Sequence, residues 1–116
     1  MIKYSRGDVV LVSFTFSDES GERRRPAVIV SSDAYQQSRQ EAIIAAVTSR
    51  TDRMLAGDHL VGDWQSAGLL FPSVATGIIR TIKQGMIAKK LGAMPRHDMQ
   101  AIENNLRDIL ELKPRS

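Results

Sequence analysis

Glu22-Arg23-Arg24-Arg25-Pro26-Ala27-Val28-Ile29-Val30-Ser31-Ser32-Asp33 is the stretch from which the fold is most directly read. Three arginines run into a proline, then a short apolar segment, then a polar turn. Pro26 lacks an N–H and fixes φ, which suits the first residue of a strand or a sheet edge. Ala27 to Val30 is rich in β-branched residues and short enough for a buried strand. Arg25 then stands at the mouth of a rigid element. A guanidinium held in that way presents a planar fork that donates two parallel hydrogen bonds to phosphate. Arg23 and Arg24 read instead as a solvated hairpin tip.

Upstream, Gly7-Asp8 is a turn signal and Val9 to Phe16 alternates as a strand, with Val10, Val12, Phe14 and Phe16 on one face. The polar run Ser17 to Glu22 is then a hairpin loop. Downstream, Ser31-Ser32-Asp33 offers capping side chains for a short helix over Ala34 to Ser38. Glu41 to Val47 reads as a nearly fully buried strand, Thr51 to Gly57 as a loop, and Asp58 to Val61 as a short strand. Asp63 to Gly68 is a turn in which Trp64 serves as a core plug. Leu69 to Ile82 is apolar but broken by Pro72 and Gly77, and so is a bent strand or a strand pair with a bulge. Met86 to Leu91 is the last strand. A helix over Asp98 to Leu112 follows, its Met99, Ile102, Leu106 and Ile109 spaced to lay one face on the sheet. The pattern is that of an α+β protein: a small, strongly bent antiparallel β-barrel of the SH3-like type with a C-terminal helix.

The 116 residues fit one domain, and an apolar content of 42% is enough for a core. The chain has no cysteine, which excludes disulfides, thiolate chemistry and cysteine zinc sites and suits a reducing cytoplasm. A formal charge of +3 and a pI near 9.6 favour an anionic partner such as nucleic acid. Aromatic residues make up 5%, too few for a broad base-stacking platform. No leader peptide and no membrane span are expected. His59 and His97 lie far apart with no metal-ligand spacing around them, and the chain lacks a nucleophile elbow, a P-loop and a dinucleotide fingerprint. Neither metal nor cofactor is therefore expected.

Thr48-Ser49-Arg50 follows directly on a buried strand. Read alone, it is either a hydroxyl turn that ends the strand, with Arg50 in water, or a place where two hydroxyls and a guanidinium hold one phosphate. Pro72 to Gly77, with Arg80 and Lys83 after it, is a further polar interruption, which reads most simply as a β-bulge with polar residues at the rim.

Gly7 to Val12, Arg25-Pro26-Ala27-Val28-Ile29-Val30-Ser31 and Val47-Thr48-Ser49, in that order and spacing, resemble the PemK/MazF family of toxins. Asp63-Trp64, Ala67-Gly68-Leu69, Pro72-Ser73-Val74, Thr81-Ile82 and Leu91-Gly92 continue the resemblance over about residues 6 to 112. It implies an SH3-like homodimer that cuts single-stranded RNA without metal and is neutralised by a cognate antitoxin whose tail fills the RNA groove. It also implies catalytic roles for Arg25 and Thr48 and a phosphate or base contact at Ser49. Arg24, Arg50, Ser73, Thr76 and Arg80 complete the set of candidate RNA contacts. Arginine stays protonated and is a poor base. Glu22 is a candidate for that role, though a hairpin-tip charge is the simpler reading. Several family members carry a basic residue shortly after the Ser-Val segment. Here the stretch is Ala75-Thr76-Gly77-Ile78, with no charge before Arg80. The departure implies weaker activity, a different base selection or use of Arg80 from a shifted register. It also leaves room for a barrel that inhibits a protein such as gyrase. A further alternative is a barrel that binds nucleic acid without turnover.

Overall fold

Six strands in the order β4-β5-β3-β2-β1-β6 make one antiparallel sheet in the computed structural model, which describes residues 4–15 and 22–113. The strands are β1 (Asp8–Thr15), β2 (Glu22–Ile29), β3 (Glu41–Thr48), β4 (His59–Leu60), β5 (Val74–Lys83) and β6 (Ile87–Ala93). Helix α1 (Asp33–Ser38) follows β2, and α2 (Arg96–Leu110) closes the chain. Phe16 and most of the expected hairpin loop, Ser17 to Gly21, lie outside the described residues, as do Pro114 to Ser116.

Alternation decides which side chain faces where. Val9 and Val28, paired across β1 and β2, join Ala45, Val47 and Ala75 under Ile102 of α2. Their neighbours Val10, Val12, Ala27, Ile29 and Ile44 form a second cluster on the other face with Ile82 and Ile87. Ile82 lies on β5 and Ile87 on β6, far apart in the strand order, so the sheet must curl to bring them together. A turn of 3-10 helix, Gln84–Met86, makes that connection. β4 and β6 do not pair, and the sheet is bent but open. The expected barrel is thus a barrel only loosely. β3 has buried residues on both faces, Ile44 on one and Ala45 and Val47 on the other, as its apolar run suggested.

Three expectations change. The arginines are not at a hairpin tip: Val12 pairs with Arg25, Ser13 with Arg24 and Phe14 with Arg23, because the β1–β2 ladder continues as far as Thr15 and Glu22. A ladder satisfies backbone groups whatever the side-chain charge, so the strand runs on through the basic segment. The run from Leu69 is not strand until Val74. β5 then carries an irregularity, with Ala45 opposite Ile79 but Val47 opposite Ala75, which places Thr76 to Ile78 in a bulge around Gly77. Helix α2 begins at Arg96 rather than Asp98, since Pro95 at the N-cap already has a φ of −57°. The cap of α1 is as read: the Ser32 hydroxyl accepts the Tyr35 N–H at 3.1 Å.

Candidate active site

The β2–β3 ladder has Ala27 opposite Ala46, Val28 opposite Ala45 and Ile29 opposite Ile44. Both strands continue beyond it, β2 back to Glu22 and β3 on to Thr48. Continuing the same register by two residues sets Arg25 against Thr48, where the strands no longer pair. Pro26 has no N–H to donate at this divergence. A groove of about 610 Å³ opens there, lined by Arg25, Thr48, Ser49, Ser73 and Lys89 among polar residues and by Leu11, Leu70 and Phe71 among apolar ones. The arginine and the threonine are thus brought together from strands that are 23 positions apart in the chain (48 minus 25).

Arg25 is exposed and, among the described residues, its guanidinium has no hydrogen bond or ion pair. The Thr48 hydroxyl accepts the Arg50 N–H at 3.1 Å, the turn that ends the strand. That bond uses one lone pair and leaves the hydroxyl proton to donate. Ser73 is buried, and its hydroxyl donates to the Phe71 carbonyl at 2.7 Å. That bond uses the hydroxyl proton and leaves its lone pairs to accept. Lys89 comes from β6, where Leu91 and Ala88 are each an extra residue against β1. The resulting bulges set Lys89 opposite Leu11, at the groove.

Four candidates from the sequence do not line the groove. Arg24 stands next to Arg25 on the strand, so its side chain leaves the opposite face. Arg50 is paired with Asp52 at 2.9 Å. Thr76 is buried in the bulge, where its hydroxyl donates to the Ala46 carbonyl at 2.8 Å and accepts the Ile78 N–H at 3.1 Å. Arg80 lies 4.8 Å over the Phe14 ring, on the face away from α2. Glu22 belongs to β2, and its side chain lies outside the described residues.

The family model for the PemK-like, MazF-like toxins of type II toxin–antitoxin systems matches residues 5–110. The chain belongs to this family. Among solved structures, a MazE–MazF complex (Form-II) from Deinococcus radiodurans gives a TM-score of 0.82 at 18% identity, covering 97% of this chain and 100% of that one. An endoribonuclease in complex with its cognate antitoxin from a mycobacterial species gives 0.75 at 21% identity, covering 97% and 99%. The Mycobacterium tuberculosis toxin MazF-mt6 gives 0.74 at 18% identity, covering 92% and 99%. At such identities the likeness is one of fold. No curated protein sequence matches the chain.

Two features of this PemK/MazF-family chain escaped the sequence reading. Lys89 and the exposed pair Leu70-Phe71 are groove residues, and the signal for them was slight: a Lys-Lys pair in the last strand and an apolar pair stopped by Pro72. The second is Asp98, which is fully buried. Its carboxylate accepts the Gly62 N–H at 2.7 Å and the Asp63 N–H at 3.2 Å, and lies 2.7 Å from His59 Nε2. Burial pushes this carboxyl up. The Gly62 N–H, the His59 ring, the Asp63 N–H and the nearby His97 together outweigh burial and hold it below the ordinary range. His59 is half-buried in this latch and His97 largely exposed.

Proposed function

We propose that this chain is an endoribonuclease toxin that cleaves single-stranded RNA at selected sequences, without metal, through the groove holding Arg25 and Thr48. The supporting observation is that these two residues, singled out from strands distant in sequence, line the same groove in a chain of the PemK/MazF family. The RNA brings its own nucleophile. The ribose 2′-oxygen attacks the adjacent phosphorus while the bond from phosphorus to the 5′-oxygen breaks. The 2′-hydroxyl proton passes to solvent water, and the departing 5′-oxygen takes up a proton from solvent. The products are a 2′,3′-cyclic phosphate and a 5′-hydroxyl.

The protein's part is then to position the backbone and to stabilise charge on the phosphoryl oxygens. Arg25 suits the second task, because its exposed fork has no competing carboxylate among the described residues. Thr48 donates to the same phosphate, and Lys89 supplies a second cation in the groove. Ser49 contacts a phosphate or base beside them. Among the described residues no carboxylate or histidine lines the groove, and the Glu22 side chain lies outside them; the groups that do line it supply charge and placement. The family also suggests a homodimer acting in the cytoplasm and held in check by a cognate antitoxin.

Incubation with mixed single-stranded RNA in EDTA, followed by end mapping, tests this directly. Fragments with 5′-hydroxyl and 2′,3′-cyclic phosphate ends at a recurring sequence are expected. Intact RNA, or cleavage that stops on chelation, would contradict the proposal.

A further inference from the structure

Leu70 and Phe71 are 83% and 62% exposed, yet they sit between the buried Leu69 and the buried Ser73. The turn that carries them is pinned. The Leu69 N–H donates to the Trp64 carbonyl at 3.0 Å, the Ser73 hydroxyl donates to the carbonyl of Phe71 itself at 2.7 Å, and the Val61 N–H donates to the Ser73 carbonyl at 2.9 Å. Pro72 fixes φ between them. Neither core cluster includes Phe71, so the fold is complete without its ring. A phenyl group left in water forgoes the gain of burial. Here it is held out at a fixed place, beside Arg25 and Thr48.

Phe71 also borders a second cleft, of about 340 Å³, with Ser49, Thr51 and Pro72. Ser49 and Phe71 are common to both clefts and form the ridge between them. We infer that the Phe71 ring is the platform on which a nucleobase next to the reacting phosphate stacks, the ridge parting that base from its neighbour in the smaller cleft. The inference rests on the nuclease reading and extends it to the bases. Cations for the backbone and an aromatic ring for the base are the division of labour by which single strands are held. Arg25 and Lys89 provide the first in the same groove. Every base has a π-face, so Phe71 contributes affinity and register with little preference for sequence.

The test is binding of Phe71→Ala and Phe71→Trp to a 2′-O-methyl oligonucleotide spanning the mapped cleavage site, which has no free nucleophile. If nothing is cut, 2′-O-methyl homopolymers of adenosine and uridine take its place. Abasic positions are introduced around the site, or throughout the homopolymer. Phe71→Ala should weaken binding about tenfold, Phe71→Trp should restore it, and thermal melting should be unchanged. The Phe71→Ala penalty should vanish on an oligonucleotide lacking the stacked base. Wild-type affinity in Phe71→Ala, or an equal penalty on every abasic oligonucleotide, would overturn the inference. So would a loss confined to antitoxin binding or self-association, which would give the ring to a protein partner. A wild type that binds but never cleaves defeats the nuclease reading alone, because the Phe71 comparison is read on binding.

Discussion

Arg25 stands out in the sequence as the residue before a proline-led strand. Thr48 is open there between a strand-ending turn and a phosphate contact, and only the family resemblance gives it a role. In the structure Arg25 lies inside β2, just beyond the point where β2 and β3 stop pairing. A proline-led apolar run fixes the backbone after Arg25, and a hydroxyl pair ends a buried run at Thr48. Arg25→Ala should slow RNA cleavage about 10²- to 10³-fold in kcat, the usual cost of removing one preorganised donor. Because Arg25 is exposed and has no described partner, the melting temperature should hardly move. Arg25→Lys should recover little of the rate, since an ammonium lacks the bidentate fork. Thr76 and Arg80 show what residue type cannot tell. A hydroxyl near an apolar run is equally suited to a groove or to a bulge, and the register error between β3 and β5 that turns Thr76 inward is a property of two strands together. Thr76→Val should therefore cost about 1–3 kcal/mol in urea unfolding, by stranding the Ala46 and Ile78 backbone groups. Its cleavage rate per folded molecule should stay at the wild-type value.

Elements were readable where one period ran uninterrupted, as in the alternation of β1 and the three-four spacing of α2. Leu69 to Phe71 misled because an apolar run looks the same whether it is buried or held out at a groove. Asp98 gave no sign of itself, since an acidic residue in the first turn of a helix is ordinary. In the structure it joins α2 to His59 of β4 and to the segment after it. Asp98→Ala should cost about 2–4 kcal/mol, because buried donors lose a charged acceptor. The sign of its pH dependence follows from the lowered folded-state pKa. Its contribution is fully present above the unfolded-state value of about 3.9 and is lost as pH falls through the folded value. Urea midpoints taken from pH 6 down to pH 2 should fall more steeply for wild type than for Asp98→Asn. Gly68 lines the groove and packs against β6: its φ is +83°, and an added Cβ would lie 2.1 Å from the Leu91 carbonyl oxygen. Gly68→Ala should lower both stability and RNA affinity.

At the scale of the whole molecule, sequence pattern gave a bent antiparallel sheet under a terminal helix but not its closure. Closure depends on whether the edge strands meet, and the two-residue β4 does not pair with β6. The basic charge was plain in the composition, whereas its focus at Arg25 and Lys89 needed the fold. Two groove cations should give RNA binding a log–log salt slope near −1.4, at about −0.7 per phosphate neutralised on a single strand. Arg25→Ala should flatten that slope by about 0.7. What most directly probes a shared phosphate is a double-mutant cycle on single-turnover cleavage with wild type, Arg25→Ala, Thr48→Ala and the double variant. If both side chains act on one phosphoryl group, each single change slows the reaction and the double variant is little slower than Arg25→Ala. Unchanged single-variant rates, or penalties that simply multiply, would show that Arg25 and Thr48 do not work on the same phosphate.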